Sequence, residues 1–453
     1  MNISKGINDS ERHLAELGEN SFLSLWCYPN LYKSRGISGD KKELCDMLVV
    51  FKNHVLIFSD KKIDFKHTGN LNIDWSRWVR KAIFKSANQI YGAERFIREC
   101  PTEIFIDKEC TKKFPLQFPS NDKIIFHRIL VTRVAKDVKK FREYIGGSGT
   151  LMIEPNIIGK DIEDNPFFIG TIDEKKGFIH VLDDVVLDIL FYELDTITDF
   201  VRYLEKKEKF ICDKRLGFAA GEEELLGFYL ANSSPGKEPS FKIEDRIACI
   251  SEGFYSKIIS LPQYRAGKQA DKKSYFIDAF IEHFAKIAFT KTWYFSNTKT
   301  FDDSIRGLRE FASETRLGRR VLANGILEKL SILKEGERGV RLILSPTNPK
   351  TLYVWLVEPV PSQANNYQEY REHRIYLLTC YCKSAKLLKP AMDIIVGIAT
   401  DSPIESRSDD IAYLDTTSWN EKDYTEAHEI REELGLLKNV NSIESKEYQF
   451  PID

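Results

Sequence analysis

Nothing in this chain is apolar for long enough to cross a bilayer, so a membrane-spanning role is not expected. The opening Met1-Asn2-Ile3-Ser4-Lys5 lacks the apolar core of a secretion signal. The eight cysteines are scattered over 453 residues, too sparse for a disulfide framework; a reducing, cytoplasmic setting is the expectation. Surplus charge is missing too: 66 basic against 68 acidic residues give a net charge of -2. That excludes a wholly basic nucleic-acid coat and leaves only local patches for such contacts. Gly146-Gly147-Ser148-Gly149 has no following Lys-Ser/Thr and reads as a flexible loop rather than a phosphate cradle. Dinucleotide fingerprints, finger-like Cys/His pairs and internal repeats are likewise absent. Cys380 and Cys382 fall in an apolar run read as a strand over 375–381, where a buried structural role is expected. The histidines are isolated; His127 and His180 read as ordinary strand residues.

What is present begins at Glu43. Met47-Leu48-Val49-Val50-Phe51, the polar turn Lys52-Asn53-His54 and Val55-Leu56-Ile57-Phe58 predict a β-hairpin. Asp46 opens its first strand and Ser59-Asp60-Lys61 closes its second, so an antiparallel pairing brings a carboxylate and a lysine together at the edge of a buried sheet. Unpaired charge is costly there, and the placement suggests metal and phosphate chemistry. A long helix is expected over 74–99, with Asp74 as N-cap and apolar residues at Trp75, Trp78, Val79, Ala82, Ile83, Ile90, Ala93 and Ile97. It carries six bases (Arg77, Arg80, Lys81, Lys85, Arg95, Arg98) against three acids. That surplus reads either as a phosphate-backbone contact or as a solvated helix face.

This arrangement resembles the PD-(D/E)xK, or restriction-endonuclease-like, nuclease superfamily, over the first quarter to half of the chain. The resemblance implies an α/β fold with a mixed central sheet flanked by helices. It implies Asp46 as the metal-binding Asp, Lys61 as the catalytic Lys and Gln89 as the polar residue lent by the following helix. Strand alternation puts Ile57, Ser59 and Lys61 on one face, so Ser59 stands where the superfamily has an acid. Asp60 fills that role if the strand bulges, with Lys62 then completing an Asp-x-Lys triplet. A Glu on the first helix, expected over 9–26, is a further implied ligand, Glu19 ahead of Glu16; Glu43 is either another ligand or a loop residue. The implied cofactor is Mg²⁺ or Mn²⁺, which needs only one or two protein carboxylates. Arg77, Arg80, Lys81 and Lys85 are the implied nucleic-acid contacts. DNA is the implied substrate, with RNA not separable from it, and prokaryotic defence against phage or plasmids the implied setting. A homodimer fits a double-strand cut. The competing class is a decayed nuclease fold that only binds nucleic acid or protein, and Ser59 is the feature in its favour.

Further along, strands are expected at 124–134, 151–153 and 178–182, extending the nuclease sheet, with a short helix at 135–145 and an insertion over 155–176. One helix is expected over 184–210. The division expected is a nuclease domain, 1–210, and an α+β module, 211–453, that recognises substrate, oligomerises or senses a partner or signal. In that second part helices are expected at 222–230, 274–290, 301–333 and 425–437, a hairpin at 340–344 and 352–357, and a strand at 394–399. Arg306, Arg309, Arg316, Arg319 and Arg320 read as a solvated helix face ahead of a nucleic-acid groove, as do Arg371, Arg374 and Lys383.

Overall fold

The hairpin forms as its apolar runs dictate, and the rest of the first unit is built around it. The computed structural model describes residues 8–34, 40–133, 150–233, 238–242, 247–290, 305–361, 366–402, 408–441 and 447–450. The chain divides into two compact units, Met1–Ala266 with Ile452–Asp453, and Gly267–Pro451. The first unit therefore runs past residue 210, because the segments after it build a second sheet and pack with the helices before it. The helix expected over 135–145 and the loop at Gly146 lie outside the described residues.

Helix α1 (Asp9–Phe22) leads into β1 (Cys27–Lys33), β2 (Lys42–Phe51) and β3 (His54–Lys61). These three strands pair antiparallel in sequence. A long helical segment follows: α2 (Leu71–Val79), a π-turn over Arg80–Phe84, and α3 (Lys85–Glu99). The short β4 (Ile104–Phe105) pairs with β1. β5 (Ile125–Thr132) returns parallel to β3. The six strands lie in the order β4-β1-β2-β3-β5-β8, with β8 (Ile179–Asp183) parallel to β5.

Both faces of this sheet are covered, which is why its central strands are continuously apolar. Met47 pairs with Phe58 in the hairpin, so both share a face. There α1 approaches closely enough that a Cβ on Gly18 would meet Met47 Sδ at 2.5 Å. Phe22 stacks among Phe58, Phe191 and Phe200 at centroid distances of 5.1–6.2 Å. Each such buried ring contributes roughly 1.5–3 kcal/mol. The opposite face, carrying Ile57 and Arg128, takes α3, and Arg128 Nε donates to Glu94 of that helix at 2.6 Å.

Several expectations change here. Asp74 is not the N-cap: Asn70 caps α2, while buried Asp74 accepts from Thr68 N and Oγ1 at 2.7 and 2.8 Å. Residues 184–210 form two helices, α4 (Asp184–Glu193) and α5 (Ile197–Cys212), because Thr196 caps a new start. β8 extends the main sheet, but β6 (Met152–Ile158) does not. It carries Pro155, which cannot donate to a ladder on both sides, and it joins β7 (Phe168–Thr171) in a second sheet ordered β10-β9-β6-β7. β9 is Leu216–Ala219 and β10 is Ala248–Ile250.

The second unit holds a four-stranded sheet, β11 (Gly339–Leu344), β12 (Thr351–Val357), β13 (Ile394–Thr400) and β14 (Asp409–Asp415), in that order. The 340–357 hairpin is present. The strand expected over 375–381 is instead the middle of one helix, Tyr367–Leu388. Its buried Tyr370, Arg374, Leu377, Leu378, Tyr381 and Ala385 recur at three- and four-residue spacing, a period that the short apolar run around Leu377 conceals. Cys380 and Cys382 are both buried in that helix, and two-residue spacing turns them to different sides.

Arg306 is exposed as expected, and Arg309, Arg371 and Lys383 are partly exposed, but Arg316, Arg319, Arg320 and Arg374 are buried. The helix expected over 301–333 is interrupted, and Thr315 caps a helix over Arg316–Ile332. Arg319 and Arg320 are wholly buried. Asp278 receives Arg316 and Arg319 at 2.9 and 2.5 Å, and Asp271 receives Arg320 at 3.0 Å. Arg374 Nε likewise donates to Asp410 at 2.8 Å. A carboxylate partner offsets each of these charges, which lets them enter a core, although Arg319 Nε and Arg374 Nη1 find no hydrogen-bond partner among the described residues.

Candidate active site

The C-terminal end of β3 and the start of β2 form the floor of a pocket of about 230 Å³, and α3 forms one wall. Glu43, Asp46, Ser59, Lys61 and Gln89 all line it, with Lys33, Lys42 and Gly92. Five residues selected from the sequence thus converge, although they come from three different elements.

Their placement follows from register. Met47 opposite Phe58 puts Asp46 opposite Ser59, on the face of Ile57 and Lys61. Simple alternation would turn Glu43 away from Asp46. The β1–β2 register, however, shifts between Leu31 opposite Cys45 and Tyr32 opposite Glu43. That bulge adds one residue to β2 and reverses the alternation beyond it, a device common beside functional sites. Glu43, otherwise exposed, thereby reaches a side-chain hydrogen bond with Asp46.

Asp46 is 6% exposed and its Oδ2 accepts from Asp60 N at 2.7 Å. Burial pushes its pKa up to about 7; Lys61 opposes that shift and Glu43 adds to it. Two carboxyls that close, in low dielectric, favour a shared proton or a cation between them. Neighbouring Cys45 is fully buried, and burial drives its thiol well above the usual range, so it is inert core.

Other expected residues are placed elsewhere. Asp60 points to the opposite face, where its buried carboxylate holds Arg133 (Nη2–Oδ2 2.9 Å, Nε–Oδ1 3.3 Å). β3 does not bulge, so Ser59 stands beside Asp46 and Asp60 is not in the site. Glu19 lies on α1, across the sheet from the pocket, and does not line it. Arg80 is bound by Glu163 at 2.6 Å, an ion pair within the unit that takes it from the expected phosphate contacts. Arg77 on α2, Lys81 in the π-turn and Lys85 on α3 are exposed.

Lys33 and Lys42, not singled out from sequence, rim the site together with Arg95. A second hollow of about 460 Å³ is lined by Lys33, Ser34, Asp40, Lys42, Gly92, Arg95 and Phe96. It shares Lys33, Lys42 and Gly92 with the first, so the two form one cleft. Lys33 sits over the Phe96 ring at 5.1 Å. A Cβ on Gly92 would meet nothing within 4 Å, so this glycine leaves the cleft open. The signal was hidden because β1, which carries Pro29 and a positive-φ Asn30, does not read as a strand.

Chemically, the pocket offers two carboxylates, a hydroxyl, a carboxamide and a lysine. Hard oxygen donors suit Mg²⁺ or Mn²⁺, and a cation would relieve the repulsion that raises Asp46. Comparison of the chain with family models, curated proteins and solved structures finds no match.

Proposed function

We propose that the Asp46 cleft hydrolyses phosphodiester bonds with a divalent ion, acting on DNA. The observation that carries this reading is the convergence of Asp46, Ser59, Lys61 and Gln89 in one pocket that opens into a cleft rimmed by Lys33, Lys42 and Arg95. The order of elements supports it as well. A helix, three antiparallel strands, a crossover helix and a strand parallel to the third are consistent with a restriction-endonuclease-like core.

Asp46 and Glu43 would hold the ion, which supplies charge neutralisation at phosphorus and a more acidic water. Lys61, beside Asp46, orients the attacking water or steadies charge on the non-bridging oxygens. Gln89 donates to a phosphate oxygen or the water. Lys33, Lys42 and Arg95 neutralise flanking phosphates, so affinity falls as salt rises.

The test is cleavage of plasmid DNA, single-stranded DNA and RNA with Mg²⁺ or Mn²⁺ by the wild type, Asp46→Ala and Lys61→Ala. Loss in both variants, by roughly 10²–10⁴-fold, supports the reading, and the substrate panel assigns the nucleic acid. Equal cleavage by all three proteins would remove the pocket from the reaction. One feature favours a second reading, a module that binds without cutting: Ser59 supplies no charge where an acid would strengthen the ion site. Retained DNA binding with no cleavage under any metal would select it.

A further inference from the structure

On the face of the sheet away from the Asp46 pocket, three histidines occupy adjacent parallel strands. His54 opens β3. His127 of β5 pairs with Leu56, and His180 of β8 pairs with Ile129, so all three share the face that carries Phe58. α5 lies over this end of the sheet and brings Glu205 and Glu208. His54 Nδ1 lies 3.0 Å from His127 Nε2 and 3.7 Å from Glu205 Oε1. His180 Nε2 lies 3.9 Å from Glu208 Oε2.

We propose that His54, His127 and Glu205 form a binding site for a divalent transition-metal ion of the zinc class, distinct from the Asp46 pocket. One donor atom from each of the three lies within 4.8 Å of the others. Around a tetrahedral zinc with ligands near 2.0–2.1 Å, donor atoms stand about 3.3 Å apart, and the two separations measured from His54 bracket that value. Two imidazoles and one carboxylate form a borderline donor set, which suits zinc over magnesium and leaves a fourth position for water.

The cluster is also under-satisfied as a purely structural network. His127 is 1% exposed and His180 is fully buried. Among the described residues, His127 Nδ1 and both ring nitrogens of His180 find no hydrogen-bond partner. None of these three nitrogens is a donor to the proposed ion; in that condition they call for ordered water around the site. Without an ion, His54 and His127 share a single proton across 3.0 Å; an ion replaces that proton and uses both lone pairs. The carboxylate of Glu205, 43% exposed, leaves the ion a route in. Seven residue steps of β3 lead from His54 to Lys61, roughly 23 Å of strand, so an ion in one site does not contact the other.

The full chain, stripped with chelator, is titrated with Zn²⁺, and with Co²⁺ as a visible probe. Bound equivalents are measured by equilibrium dialysis and elemental analysis for the wild type, His54→Ala, Glu205→Gln and Asp46→Asn. One tight equivalent is expected in the wild type and Asp46→Asn. It should vanish in His54→Ala, and in Glu205→Gln it should vanish or weaken at least ~10-fold. Equal binding in the wild type and Glu205→Gln, or loss of that equivalent in Asp46→Asn, overturns the proposal. In the first case the histidines are only a hydrogen-bonded pair. Glu205 is the more exposed ligand, so its variant carries the test if His54→Ala does not fold, as judged by circular dichroism.

Discussion

Charge is buried in both units, and at Asp46 it is buried on different terms from elsewhere. In the second unit each described buried arginine meets a carboxylate: Arg316 and Arg319 on Asp278, Arg320 on Asp271, Arg374 on Asp410. In the first unit, buried Asp46 faces another carboxyl, Glu43, with only Lys61 in opposition, and its pKa rises to about 7. Compensated pairs hold helices and strands in place. An excess of one sign at the mouth of a cleft is the condition under which a cation gains most from binding. The contrast teaches that buried charge alone does not mark a site; the balance of its partners does.

The comparison can be broken most severely at its active end. Lys61→Ala should lower metal-dependent cleavage by roughly 10²–10³-fold while thermal unfolding changes little, because Lys61 sits at a pocket edge. Single-turnover rates beside a melting curve would check this, and a large loss of stability would make Lys61 structural. At the compensated end the outcome reverses. Asp278→Ala strands two arginines and should cost about 3–5 kcal/mol of stability, read by urea denaturation.

The pH dependence of stability sharpens the contrast. An unfolded Asp titrates near 3.9, whereas folded Asp46 titrates at about 7. Between those values the folded state binds the extra proton, so Asp46 makes stability fall as pH rises through that window and level off above it. Asp46→Asn should remove that fall and leave the protein about 2–4 kcal/mol more stable than wild type at pH 8. Mg²⁺ should offset it in the wild type alone, since the ion competes with the proton. Smaller again, Lys42→Ala and Arg95→Ala should each reduce the salt dependence of DNA binding by about one phosphate contact, measured by fluorescence anisotropy across a salt series.

Much of the pocket was legible in the sequence because its chemistry sits on one hairpin. Two apolar runs around Lys52-Asn53 dictate the pairing, and alternation alone puts Ser59 with Lys61. Gln89 was reachable by position on the following helix. Glu43 stayed open because its arrival depends on a bulge, and a bulge is set by strand pairing rather than by local composition. Glu19 misled because apolar spacing defines the helix but not which face of the sheet it covers. Arg316, Arg319 and Arg320 were misread for a related reason: Asp271 and Asp278 lie some 40 residues from their partners, and adjacent acids such as Glu310 and Glu314 suggested solvation, which holds only for Arg306. The histidine cluster was invisible, since its members are more than 70 residues apart in the chain and meet only through the parallel pairing of β3 and β5.

The most direct measurement is Mg²⁺-dependent DNA cleavage by Asp46→Asn at pH 8, with its melting temperature taken on the same preparation. The account predicts a protein that melts higher than the wild type and cuts at least ~100-fold more slowly, because the group that strains the fold is the one that holds the ion. An Asp46→Asn protein that cuts as fast as the wild type would contradict it.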